Sequence, residues 1–176
     1  MTIPVEIARE LRYELGMAEF THIQLSEAAW SDNKSLSTGM LVTLVESFIA
    51  HARLMDEFLG GRKYPRKDDV LATRFAPRWK GGGFLATADR DRMDKQLMHL
   101  TEARDRRERW PIHAIARGLA DNYLAFYDLL DLDAQYELEG TAESARAILE
   151  RCDSDARNEI YLGLVWSEAR KEGLHE

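Results

Sequence analysis

The sequence predicts an all-α fold, an antiparallel helical bundle of five to seven helices. Apolar residues recur at intervals of three and four along most of the 176 residues, as they do on the buried face of a helix. No strand-like alternation lasts long enough to build a sheet, and no internal repeat or low-complexity tract is present. With 45% hydrophobic residues, residues 1–176 can supply one core and are predicted to form a single helical domain.

The first part of the chain predicts two long helices. Residues 2–30 carry a broken helical period, which indicates one long helix or two helices joined by a bend near Gly16. A second helix is predicted over about 36–59, with Ser35 or Ser37 as its N-cap and a glycine pair at its end. Its wide apolar stripe indicates the central core helix: Leu41, Leu44, Val45, Phe48, Ala52, Met55 and Leu59.

A long basic loop is predicted to separate the second and third main helices. Over 62–83, "RKYPRKDDVLATRFAPRWKGGG" loses the helical period, apart from one short helix expected from Asp68 or Asp69 to about Phe75. Connections this long in a compact domain are often functional or mobile. The next helix is predicted from Thr87, as its N-cap, to about Arg107.

Three helices are predicted in the rest of the chain. One opens at Pro111, which the first turn of a helix tolerates, and has an apolar stripe at alternating spacings of four and three. "DLDAQYELEG" is interpreted as an acidic break. Thr141 is predicted to cap a helix that ends near Cys152, and Ser154 a last helix that ends near Lys171.

Charge is unevenly distributed along this acidic chain, whose formal net charge is −7. Residues 62–117 hold 15 basic and 8 acidic side chains, whereas both flanking segments are acidic. The basic segment could complement acidic helices of the same chain or of a second copy. It could also form a local site for phosphate or nucleic acid, because a focused positive patch attracts anions whatever the total charge.

Within this segment, "DRMDKQLMHLTEAR" places cations and a histidine on one predicted helix face. Arg92 and His99 are seven positions apart, so they lie about 20° from each other on a helix, with Lys95 nearby. Arg104 falls on the apolar side, where a buried cation requires a carboxylate partner. Glu46 on the central helix is the predicted partner.

The spacing of Arg92 and His99, with six residues between them, resembles the Arg-x(4 to 6)-His motif of HEPN domains, a family of small helical bundles. The resemblance implies a metal-independent ribonuclease of toxin or defence type, whose site forms between two copies of the chain. Arg92 would contact phosphate and His99 would act as general acid or base. Lys95, Arg104 and Arg106 are the predicted binding residues beside them.

A second resemblance concerns "HARLMDEFLGG" and "DKQLMHLTEAR". The pair is similar to a group of small bacterial helical proteins and implies no activity. The alternative to the ribonuclease hypothesis is therefore a noncatalytic helical module. Such a module would self-associate, or bind an acidic partner, through its basic segment 62–117.

The histidines do not predict a metal site. His51 falls on the apolar stripe of the central helix and is expected to be a core histidine hydrogen-bonded to a neighbour. His51, His99 and His113 lie on three successive predicted helices, but no His-x-x-x-His spacing occurs. Glu-x-x-His occurs twice, at Glu19 with His22 and at Glu172 with His175, whereas a di-iron bundle needs it on two core helices. We expect no metal and no cofactor.

Location and assembly follow from composition. The N-terminal segment is charged, the longest apolar run is "GMLVTLV" and there is one cysteine, so a cytoplasmic protein without a membrane span is expected. Broad apolar stripes on several helices predict a homodimer. RNA or an acidic protein would be its further partner.

Overall fold

The computed structural model describes residues 3–30, 37–61, 64, 66–94 and 110–154. These ranges contain six α-helices and no strand, which confirms the all-α prediction. The helices are α1 (Val5–Trp30), α2 (Thr38–Asp56), α3 (Thr87–Met93), α4 (Ile112–Tyr127), α5 (Leu132–Glu137) and α6 (Glu139–Ser154). None of them is both long enough and apolar enough to cross a membrane.

Contacts between side chains give the relative directions of the four long helices, α1, α2, α4 and α6. Glu14 pairs with His51, and the ring of His22 lies near that of Phe48, so α1 and α2 are antiparallel. α4 and α6 are also antiparallel, because Arg117 pairs with Asp153 while Tyr123 bonds to Thr141. α1 and α6 run parallel: Arg12 bonds to Glu137 just before α6, and Arg151 pairs with Glu27.

The core between these helices is built from the predicted stripes. α1 is continuous through Gly16, and Leu11, Leu15, Ala18 and Leu25 are buried along it. Phe48 of α2 and Phe126 of α4 are also fully buried. Ser37 caps α2 by accepting a hydrogen bond from the Met40 N–H, one of the two caps the sequence predicted.

Several predicted boundaries were wrong. Ala86, not Thr87, occupies the N-cap of α3, and no side chain caps it. The short helix expected from Asp68 or Asp69 is one turn of 3-10 helix at Ala72–Arg74. The acidic break contains α5, because Asp131 caps it through the Ala134 N–H. The helix predicted beyond Ser154 lies outside the described residues.

The corner between α4 and α6 is held by Tyr127, Glu139 and Arg146. The Tyr127 hydroxyl donates to a Glu139 carboxylate oxygen and lies 3.0 Å from the Gln135 carbonyl oxygen, and Arg146 bonds to the other Glu139 oxygen at 3.2 Å. Burial is the main cause that raises the pKa of Tyr127 to about 12, and the hydrogen bond to the Glu139 carboxylate is the second cause. The Tyr127 and Arg146 bonds hold the pKa of Glu139 below its ordinary 4.5.

This corner gives a pH prediction. A carboxylate with a lowered folded-state pKa stabilises the fold above its unfolded-state pKa, and that contribution is lost as the pH falls through the folded-state value. The stability difference between the native chain and Glu139→Gln should therefore be largest near neutral pH and shrink below about pH 4.5. Urea unfolding across the acid range measures it. Glu143→Gln, an exposed site on α6, serves as the control, and an equal pH dependence in both variants would contradict the prediction.

Candidate functional site

Arg92, the predicted phosphate-binding residue, lies on α3 against the tryptophan that precedes α4. Its guanidinium carbon is 3.7 Å from the ring centroid of Trp110, which is buried. A guanidinium over an indole face is attracted by the ring quadrupole, so Arg92 is held in a defined orientation. Its predicted catalytic partner His99 lies outside the described residues, as do Lys95, Arg104 and Arg106.

Arg90 of α3 meets a carboxylate of the central helix, Asp56. Glu46 is half-buried on α2, and its predicted pairing with Arg104 falls outside the described residues. Asp56, at the end of α2, is fully buried and accepts from Arg90 Nε at 2.5 Å and from the Leu85 N–H at 2.9 Å. This carboxylate therefore binds both α3 and the segment before it to α2.

A second ion pair joins the same two helices. Here α2 supplies the cation, and the carboxylate comes from the residue after α3. Arg53 Nε lies 3.3 Å from a carboxylate oxygen of Asp94, the residue that follows α3. Arg53 Nη1 lies 2.9 Å from a carboxylate oxygen of Glu57, which is four residues further along the chain. Arg53 is buried, and Asp94 is partly exposed. Two oppositely oriented ion pairs fix the orientation of α3, and with it the orientation of Arg92.

The basic loop before α3 is anchored by a row of buried side chains. Ala72, Phe75, Ala76, Trp79 and Leu85 are all buried. Trp79 donates its indole N–H to the Leu59 carbonyl at 2.9 Å, and its ring contacts Phe126 edge-on at 6.1 Å between centroids. These contacts fix the loop backbone against the ends of α2 and α4, whatever the charges on its side chains.

On this anchored backbone, the cations point outward. Five of them are exposed between residues 66 and 80: Arg66, Lys67, Arg74, Arg78 and Lys80. Asp69 caps the turn by accepting from the Arg66 N–H at 2.6 Å. Tyr64, at 75% exposure, precedes them. We refer to these five cations and Tyr64 as the basic surface; sites that bind single-stranded nucleic acid combine cations with exposed aromatic rings.

The described histidines lie in two places, His51 beside Glu14 and the other two beside each other. His51 is partly buried, and its Nδ1 lies 2.6 Å from a Glu14 oxygen, with Tyr13 edge-on at 5.5 Å. His113 lies beside His22 instead, with His22 Nε2 3.0 Å from His113 Nδ1. Cys152 completes the group, its Sγ 3.8 Å from His22 Nε2.

The sequence prediction gives His22 no functional role beyond its place in one Glu-x-x-His pair. Its position in the apolar period of α1 is a clearer signal. His22 follows Leu15 and Ala18 and precedes Leu25 at intervals of three and four, so it occupies a core position of α1. A polar side chain in a core stripe requires partners inside the bundle, and here those partners are His113 and Cys152.

No protein-family model, no curated protein and no solved structure matches this chain. The two resemblances noted in the sequence therefore remain predictions.

Proposed function

We propose that this chain is an RNA-binding helical protein that contacts the phosphate backbone of single-stranded RNA through the basic surface. The observation that supports this proposal is the display of five exposed cations on a loop whose backbone is anchored by buried Trp79 and Phe75. A pre-ordered loop loses little conformational entropy on binding. The acidic flanking segments, 1–61 and 118–176, repel nucleic acid, which favours binding at the basic segment that contains this loop.

The test is fluorescence anisotropy with a single-stranded RNA oligonucleotide over a series of salt concentrations. The triple variant Arg74→Gln, Arg78→Gln, Lys80→Gln should bind at least about tenfold more weakly at low salt. Each lost contact with single-stranded RNA lowers the slope of log K against log salt by about 0.7, so the slope should fall by about 2.

A matched control removes the same charge elsewhere. Arg9, Arg12 and Arg146 are exposed on α1 and α6, and changing all three to glutamine should leave the salt slope within about 0.5 of the native value. Equal weakening in both triple variants would mean that net charge alone drives binding, and would overturn the proposal. Binding of a polyglutamate peptide without binding of RNA would favour the acidic-partner alternative.

The sharper form of the proposal is a HEPN-like ribonuclease, supported by the fixed guanidinium of Arg92 on Trp110. A stacked arginine is pre-oriented to neutralise the charge that develops on a phosphorane. RNA cleavage should then survive chelator and disappear in His99→Ala. Intact RNA at high protein concentration would exclude cleavage but leave RNA binding to be judged by the anisotropy series.

The homodimer belongs to the same proposal, since HEPN-like sites form between two chains. Light scattering on a sizing column, with and without RNA, measures the mass of the assembly. In the noncatalytic alternative, His99→Ala leaves the mass unchanged while Arg106→Glu with Arg107→Glu lowers it. A monomer in all conditions would contradict both forms of self-association.

A further inference from the structure

Three helices each contribute one potential metal ligand at one end of the bundle. This end lies away from Phe126, which the basic loop contacts through Trp79. His22 comes from the later part of α1, His113 from the first turn of α4 and Cys152 from the last turn of α6. Because α1 and α6 run parallel and α4 runs opposite to both, these three positions come to one level. We call them the His22–His113–Cys152 cluster.

The distances in the cluster suit a tetrahedral ion. Zinc lies about 2.0–2.1 Å from imidazole nitrogen and about 2.3 Å from thiolate sulfur. A tetrahedron with those bonds separates two nitrogens by about 3.3 Å, and a nitrogen from sulfur by about 3.6 Å. The observed separations are 3.0 Å between His22 Nε2 and His113 Nδ1 and 3.8 Å between His22 Nε2 and Cys152 Sγ. All three ligand atoms lie within 4.8 Å of one another, and the two separations from His22 Nε2 differ from the tetrahedral values by a few tenths of an ångström.

The surroundings also suit a metal. His22 and Cys152 are 0% and 3% exposed, and His113 is half-buried. The Phe48 ring is 6.0 Å from that of His22, so one wall of the cluster is aromatic. An apolar shell limits solvent access and lowers the local dielectric around the ligands inside it. Because His113 is half-buried, an ion would enter the cluster from the side of His113.

The burial argues against other chemistry for the same residues. A cysteine–histidine pair used for nucleophilic catalysis must reach its substrate, whereas both Cys152 and His22 are enclosed. His22 Nε2 and His113 Nδ1 lie at hydrogen-bonding distance, 3.0 Å apart, so these two nitrogens already face each other.

We propose that His22 Nε2, His113 Nδ1 and Cys152 Sγ bind one late first-row divalent transition ion of the zinc class. Two imidazoles and a thiolate select such ions over Mg²⁺ and Ca²⁺, which prefer oxygen ligands. Binding converts the Cys152 thiol to a thiolate and releases its proton. Three protein ligands leave the fourth position of a tetrahedral ion for water or another ligand. The inference is independent of RNA binding, because no residue of the basic surface takes part.

The test uses Co²⁺ as a probe on the full chain after dialysis against chelator. Cobalt bound to a thiolate gives a charge-transfer band in the near ultraviolet, and tetrahedral cobalt gives strong visible bands. We expect both to saturate at one equivalent and to be displaced by one equivalent of Zn²⁺. Cys152→Ala should abolish the charge-transfer band, and His22→Ala or His113→Ala should weaken Co²⁺ binding at least tenfold.

The matched control is His51→Gln, which removes a histidine that pairs with Glu14 outside the cluster. It should bind Co²⁺ as the native chain does. Circular dichroism of each metal-free variant checks its helix content, and a buried variant that fails to fold is replaced by His113→Gln, at the half-buried position. No charge-transfer band in the native chain, or a band that persists in Cys152→Ala, overturns the proposal. Weak binding that is equal in every variant also overturns it, since that result would mean adventitious surface histidines.

Discussion

Replacement of Asp56 by alanine is expected to lower the free energy of unfolding by about 3 kcal/mol, at the low end of the range for breaking a buried ion pair. Asp56 is 0% exposed and accepts from both Arg90 and the Leu85 N–H. Alanine would leave the arginine without its counter-charge and the amide without an acceptor. The Arg90 side chain is 20% exposed, so water relieves part of the penalty, and a loss above about 5 kcal/mol is not expected.

Urea unfolding followed by circular dichroism measures this loss, and the neighbouring ion pair supplies the control. Asp94 pairs with Arg53 at 3.3 Å, but its side chain is 43% exposed. Asp94→Ala should therefore cost under about 1 kcal/mol. Equal losses in the two variants would show that burial of Asp56 does not determine its contribution. Asp56→Asn, which keeps an acceptor for the Leu85 N–H, should lie between them.

The elements that sequence predicted well are those with a long, regular apolar period. α2 and α4 carry such stripes, and Phe48 and Phe126 on them are buried as expected. α5 was missed because its six residues are too few to show a period. Its acidic residues suggested a solvated break, yet Asp131 is the N-cap and Ala134 the buried contact. In a helix this short, one N-cap and one buried side chain stabilise the helix despite its acidic composition.

The site was predicted less well, because helical periodicity gives the buried face of a helix but not the neighbour it meets. Asp56 and Arg90 are 34 positions apart, and His22 and Cys152 are 130 apart. No local spacing connects either pair. The basic character of the segment from residue 62 was visible in sequence, whereas the anchoring of its loop through Trp79 depends on α2 and α4 lying side by side.

Alanine at Gly81 is expected to destabilise the protein by about 1–3 kcal/mol, the usual cost of overpacking. A Cβ built at Gly81 would lie 2.3 Å from the nearest carbon of the Trp79 indole. That ring cannot swing aside cheaply, because it is buried and donates to the Leu59 carbonyl. Either the indole leaves its position or the loop backbone moves, and in both cases the anchor of the basic surface is loosened.

Gly82 provides the matched control, since a Cβ there would meet nothing within 4 Å. Gly82→Ala should leave stability unchanged or raise it by up to about 1 kcal/mol, because alanine reduces the entropy of the unfolded chain. The indole fluorescence of Trp79 is measured as the difference from a Trp79→Phe background, alongside urea unfolding. Gly81→Ala should shift that emission to the red and weaken RNA binding by the basic surface, while Gly82→Ala does neither. If Gly81→Ala unfolds at a lower urea concentration but binds RNA as tightly as the native chain, the anchored loop backbone is not what organises the basic surface.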